Sequence, residues 1–399
     1  MNVFDSLIGQ EHAVEEMKHA ASDAAKVAIG ERGDAMTHAW LITGPPGSGR
    51  STLALAFAAS LICANGDGGC GECIDCRNVA AGVHPDVEHI VPEGINYKVE
   101  ATRNLIERAS LLPTRSPWHV IVVEDVDRFR IDAASTLLKS LEEPPPATVW
   151  LLCAPTVDDV FPTIRSRCRH VALTSPTFAA ISQQLTARFG IDPAMAAWAT
   201  RAAQGHIGRA RALATDENVR LRRKQILDIP TNLRVVSSCF DQANKIVASA
   251  NADADSIVTP LDQEDDQDIR TAFGEGAEGK GLKTVERQMK SALKDLDDRA
   301  KSRRRRVLSD QYDRVLLDLT GYYRDVLVVQ SGANVELVNE ELRESIERVA
   351  SVDDESATLR RIAAITEARD QIVANVNPLN AFESLLVSLR DPRLTAIVG

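Results

Sequence analysis

The 399-residue sequence has no apolar stretch near the roughly 18–20 consecutive residues that a membrane-spanning helix requires, so no helical span is expected. It also lacks a basic excess: 46 Lys and Arg stand against 57 Asp and Glu, for a formal net charge of −11. That balance argues against a nonspecific grip on nucleic acid by the whole surface and leaves only local basic patches for such contact. The first nine residues carry Asp5 and no basic flank, so no secretory signal is expected. No internal repeat is visible, which sets aside repeat arrays. Seven cysteines without an export signal point to a reducing compartment and to metal ligation rather than disulfides. The expected class is a soluble cytoplasmic protein of two or three domains.

One further absence governs the chemistry. Leu41-Ile42-Thr43 reads as a strand and 52–59 as a small-residue helix, with Gly44-Pro45-Pro46-Gly47-Ser48-Gly49-Arg50-Ser51 between them. Strand, Gly-rich turn and helix are the context in which backbone N–H groups and a helix N-terminus form an anion cradle. Gly44, Gly47 and Gly49 permit close approach of a phosphate, and Ser51 fills the hydroxyl position of the P-loop pattern. The lysine of that pattern is missing, and Arg50 stands in its place. A planar guanidinium replaces a compact ammonium. The loop is therefore either a degenerate nucleotide site, with ATP and Mg²⁺ bound weakly or not at all, or a Gly-rich turn without a ligand.

Beyond the P-loop helix, Cys63, Cys70, Cys73 and Cys76 lie within fourteen residues, the last three at three-residue spacing among glycines. Four thiolates so spaced can close around one tetrahedral ion, which favours a structural zinc; a redox pair or an iron–sulfur cluster is the alternative. Cys153 and Cys168 read as buried thiols. The run from Val120 to Val123 reads as a parallel strand buried on both faces, and it ends in Glu124 and Asp125. A hydrolytic site places an Asp in the Mg²⁺ shell and then a Glu to polarise water; here that order is inverted. Asp127 reads as a cap or surface residue, and His38 as a packing residue.

Further along, 87–91 and 148–153 read as strands, and 99–111 and 132–141 as helices, the last capped by Asp132 and stopped by Pro144-Pro145-Pro146. Residues 174–214 change to short helices. From 217 onward the chain reads as helical, with an acidic, Gly-rich interruption at about 250–285 expected to be flexible. Arg303 to Arg306 form a basic run that either touches phosphates or offsets nearby acids on a solvated face.

Taken in order, the P-loop, the four-cysteine insert, the Val120 to Asp127 run, Leu137 to Pro146 and Thr163 to Cys168 resemble the AAA+ subunits of the bacterial sliding-clamp loader. Phe4 to Gln10, His38-Ala39-Trp40 and the closing Asn377 to Ala381 fit the same family. The resemblance is dense over 1–215 and thinner beyond. It implies an α/β then all-α architecture: an AAA+ P-loop domain with a parallel sheet and zinc insert over 1–173, a small helical lid over 174–215, and a helical collar for oligomerisation over 216–399. Two kinds of subunit share these motifs, an ATP-hydrolysing tau/gamma motor and a delta-prime stator. Arg50, the Glu124-Asp125 order, Pro155-Thr156 at the γ-phosphate sensor and Gly208, with Arg209 beside it, at the second sensor all depart from the motor. The resemblance to the stator implies a ring with tau/gamma and delta subunits, acting on a sliding clamp and primed DNA, and uncatalytic alone. In it Arg167 would reach the ATP of a neighbour as a trans arginine finger, the alternative being an internal salt bridge. Arg165 and Arg169 read as supporting charges. An active motor, or a nucleotide-free zinc-stabilised scaffold, are the competing functions.

Overall fold

The computed structural model describes residues 2–66, 68–92, 97, 99–272 and 282–394; for 264, 265, 268–272, 282–289, 291, 292, 295, 298, 299 and 394 it describes the backbone alone. The chain divides into two compact units, residues 1–215 and 216–399. The first runs α1 (Glu11–Ala28), β1 (Ala39–Thr43), α2 (Arg50–Ile62), α3 (Ile74–Ala80), β2 (Val87–Ile90), α4 (Val99–Ala109), β3 (His119–Val123), α5 (Ile131–Glu142), β4 (Thr148–Ala154), α6 (Pro162–Arg165), β5 (Arg169–Ala172), α7 (Phe178–Phe189), α8 (Pro193–Ala202) and α9 (Ile207–Thr215). Its five strands form one parallel sheet in the order β2-β3-β4-β1-β5.

Side chains alternate between the faces of a strand, and here both faces are covered. Trp40, Ile42, Val120, Val122, Val149 and Leu151 share one core with residues of α1 and α2. Leu41, Ile121, Val123, Trp150 and Leu152 share the other with residues of α4 and α5. The central strands therefore read as continuous apolar runs. Because β4 lies between β1 and β3, the loops after these three strands open at one edge of the sheet. Ligands of open α/β sheets bind at that edge.

Helix α5 begins one residue earlier than its acid suggested. Arg130, in extended backbone, occupies the cap position, and Asp132 sits inside the first turn with Oδ1 accepting the Ala133 N–H at 3.0 Å. An acid there still meets the positive end of the helix dipole. Asp86, just before β2, ties down the loop that leads into β3. It is 2% exposed and accepts the N–H groups of Thr114, Arg115 and Ser116 and the hydroxyls of Thr114 and Ser116 at 2.6–3.0 Å. Burial opposes its ionisation, but these five donors together hold the carboxyl well below the usual range. A depressed folded pKa contributes stability above the unfolded value and loses it as pH falls, so this contribution should fade below about pH 4. We predict that Asp86→Ala lowers unfolding free energy by about 3 kcal/mol at neutral pH, by denaturant melts, and by less in acid.

The second unit is all helical: α10 (Glu217–Leu227), α11 (Ile229–Asn232), α12 (Val236–Ala272), α13 (Leu282–Gln330), α14 (Arg343–Val352), α15 (Glu355–Val373) and α16 (Pro378–Arg390). Its core gathers Tyr312, Leu316, Leu319, Tyr322, Tyr323 and Val326 of α13 with Phe382, Leu385 and Leu386 of α16. The acidic interruption expected from about 250 is corrected here: α12 continues to Ala272 with Pro260 inside it, and α13 resumes at Leu282. The rest of that stretch, 273–281, lies outside the described residues. Ile246, Ala250, Ala254 and Val258 are all buried, so an i, i+4 stripe carries the helix onward. Its acids are matched from α13: Arg304 pairs with Asp255 at 2.8 Å and Arg303 with Asp262 at 3.4 Å. Arg304 also donates to Asn251 at 2.8 Å. These two members of the basic run thus offset neighbouring acids.

Candidate functional site

Thr43 ends β1 and Arg50 begins α2, so the P-loop spans the sheet edge. Gly47 (φ 83°) and Gly49 (φ 97°) adopt left-handed backbone, which the tight loop requires. A Cβ on Gly47 would lie 2.5 Å from the imidazole of His206, which precedes α9. The ring of His206 therefore covers the loop apex. Gln10 staples the loop from the other side. Its side-chain amide donates to Ser48 O (3.3 Å) and Thr174 O (2.7 Å) and accepts the Thr174 N–H (3.2 Å).

Every charged group expected to handle nucleotide already faces a protein partner. Arg50 Nη2 lies 3.8 Å from Asp125 Oδ1, both side chains being 16% exposed, and Arg128 Nε approaches the other oxygen at 3.5 Å. Asp125 holds left-handed backbone (φ 49°). Glu124 Oε1 meets His89 Nε2 at 2.6 Å. Asp127 is half-buried, and burial followed by the neighbouring Asp125 charge raises its carboxyl pKa. In the loop after β4, Pro155 O accepts the Gly44 N–H at 3.1 Å, and the Thr156 hydroxyl donates to Asp159 at 2.8 Å. Gly208 lies in the first turn of α9. Ser51 follows Arg50 in the first turn of α2.

The cysteines converge. The sulfurs of Cys63, Cys70, Cys73 and Cys76 all lie within 4.8 Å of one another. A tetrahedral ion with Zn–S bonds of about 2.3 Å spaces sulfurs about 3.8 Å apart, so the set fits zinc. Backbone amides point at the sulfurs: Cys70 N–H at Cys63 (3.4 Å), Cys73 N–H at Cys70 (3.3 Å) and Cys76 N–H at Cys73 (3.4 Å). Amide donation from Glu72 and Cys73 pulls the Cys70 thiol down to about 6, which favours the thiolate a metal needs. Burial pushes the Cys76 thiol up in the metal-free chain. Between the ligands, buried Asp75 ion-pairs with Arg115 Nε at 2.9 Å and faces His84 Nε2 at 3.4 Å, while His84 Nδ1 accepts the Asp86 N–H. This anchors the insert to the start of β2. Burial raises the thiols of Cys153 and Cys168, the latter to about 12.

Arg167 follows α6. Its Nη1 donates to Thr163 O at 2.8 Å and Ser166 Oγ at 3.3 Å, and its Nη2 pairs with Glu142 at the end of α5. Arg165 pairs with Asp158 at 3.1 Å; Arg169 pairs with Glu16 at 2.8 Å and lies over the Trp40 ring. His38 Nε2 donates to Leu141 O, 2.8 Å away, as a packing residue. Nothing in the order of residues singles out His89, Glu142 or His206 for these contacts. Their partners lie far away in the chain, although Gln10 and Glu142 fall within the Phe4 to Gln10 and Leu137 to Pro146 motifs.

A P-loop after the first strand, carboxylates after the third and a β2-β3-β4-β1-β5 parallel sheet define an AAA+ P-loop domain. The model of the family described as DNA polymerase III, delta subunit, matches residues 25–177. The chain is 34% identical over 195 residues to DNA polymerase III subunit delta' of Pseudomonas aeruginosa, a match spanning 48% of this chain and 60% of that protein. It is 25% identical to the subunit delta' of Bacillus subtilis over 90% of this chain and 92% of that one. With DNA polymerase III subunit gamma of Buchnera aphidicola it shares 33% identity over 43% of this chain and 45% of the other. Across these matches the chain is similar to the delta' and gamma subunits of DNA polymerase III, and it spans about 60% of the length of the Pseudomonas aeruginosa subunit. No helix among the described residues is long and apolar enough to cross a membrane.

Proposed function

We propose that this chain is the delta-prime stator of a DNA polymerase III clamp loader, contributing position rather than turnover. The observation that carries the reading is the self-occupied P-loop: Arg50 faces Asp125, His89 holds Glu124 and His206 covers Gly47. Arg50 and Asp125 face each other at 3.8 Å and Glu124 is held by His89, so bound ATP and Mg²⁺ would compete with these contacts. The scaffold instead serves to present Arg167. In this reading residues 1–173 form the P-loop domain, 174–215 its lid and 216–399 a collar that joins tau/gamma and delta subunits in a ring on the clamp and primed DNA. Arg167 leaves Glu142 to meet the ATP of a neighbour, where a guanidinium stabilises charge on the transferred phosphoryl group. The four cysteines hold a structural zinc, which on binding would close the insert and supply no chemistry.

The test is ATP turnover by the purified chain, alone and with tau/gamma and delta subunits. No turnover alone, with partner turnover that needs this chain, is the expected result. Mg²⁺-dependent turnover by the isolated chain, abolished by Glu124→Gln or Asp125→Asn, would move it to the motor class.

A further inference from the structure

The helical unit contains a cavity of about 690 Å³ where the end of α11, the start of α15 and the end of α16 meet. Five arginines and three aspartates line it. Most of these charges are already matched. Arg361 donates to Asp353 at 2.8 Å and to Leu389 O at 2.7 Å, and Arg393 pairs with Asp391 at 2.7 Å. Asp354 accepts the Ala357 N–H at 2.7 Å as the cap of α15. Arg234, Arg360 and Arg390 remain, with no ion pair or side-chain hydrogen bond to the described residues, and of these Arg390 lies near enough to Asp391 to favour its charged form. The Nε of Arg360 is buried and has no hydrogen-bond partner.

Three guanidinia around one concavity repel one another, and a buried N–H without a partner costs free energy. Such an arrangement is relieved by an anion. A single carboxylate has too few acceptor oxygens for three forked donors, whereas linked phosphates present several, and arginine matches them bidentately. The volume lies within the range of small-ligand sites. The chain as a whole is acidic, so the attraction is local to this cavity. We propose that Arg234, Arg360 and Arg390 form a phosphate-binding site in the helical unit, separate from the P-loop, that takes linked phosphates of a free nucleotide or of a nucleic-acid backbone.

The experiment is calorimetric titration of the full chain with inorganic pyrophosphate and, separately, with a short DNA duplex at two salt concentrations. Arg234 and Arg390 are exposed, so the double variant Arg234→Ala/Arg390→Ala should fold as the parent does, which thermal melting checks. Expected is saturable binding of at least one probe, weakened about tenfold or more in the double variant and retained in Arg50→Ala. Pyrophosphate binding without DNA binding assigns the site to free nucleotide. DNA binding whose logarithmic salt slope falls by roughly two in the double variant assigns it to the backbone. Absence of binding by both probes, binding unchanged in the double variant, or binding lost in Arg50→Ala would each overturn the proposal.

Discussion

If this chain is the stator proposed above, Arg167→Ala is expected to lower ATP hydrolysis in that assembly by about 10³-fold or more, the scale of a trans arginine in phosphoryl transfer. Assembly itself should persist. The side chains of Arg167 and Glu142 are 33% and 49% exposed, and a surface ion pair contributes at most about 1 kcal/mol to folding. The variant should therefore elute with its partners at the parental position in gel filtration while steady-state turnover on clamp and primed DNA collapses. Glu142→Gln separates the trans role from an internal one. It removes the carboxylate that holds Arg167 but leaves the guanidinium, so turnover should match or exceed the parent. If the Arg167–Glu142 pair mattered only to this chain's own structure, the two variants would behave alike. Undiminished turnover by Arg167→Ala would sink the trans-arginine reading.

The fold class was legible in the sequence for a physical reason: a parallel sheet covered on both faces needs near-continuous apolar strands, and 39–43, 119–123 and 148–154 supply them. The convergence of the cysteines was legible because their spacing is short and local. The partner of Arg50 was not, because Asp125 reaches it only after the sheet orders β4 between β1 and β3. His206 over Gly47 and Glu142 on Arg167 are hidden for the same reason: sequence shows residue types, while pairing is set by tertiary neighbours. The acidic stretch from 250 misled by composition. In a local window its aspartates look like a solvated linker, whereas Arg303 and Arg304 of α13 match Asp262 and Asp255, and a buried stripe through Ala254 and Val258 lies beneath them.

Removing the metal should have the other large effect. If the four cysteines hold zinc, the purified chain should carry one equivalent, and Cys73→Ser or Cys76→Ser should carry little. With free zinc a thousandfold above Kd, binding contributes about 4 kcal/mol to the folded state. On a unit of this size that corresponds to roughly 8–16 °C in melting temperature, which a strong chelator should abolish in the parent and leave unchanged in the variants. The loss should not stay within the insert. Cys76 is buried against α2, with its sulfur 3.9 Å from Ala59 O, and Val3 docks on the insert through its N–H to Gly69 O at 2.9 Å. Helix α2 begins at Arg50, so an insert that opens loosens the support of the P-loop helix and the N-terminal segment together. Hydrogen exchange should then rise in α2 and α3 on chelation while β3 and β4, buried on both faces, stay protected. A metal-free chain as purified, with an unchanged melting temperature in chelator, would leave the four thiols without this role.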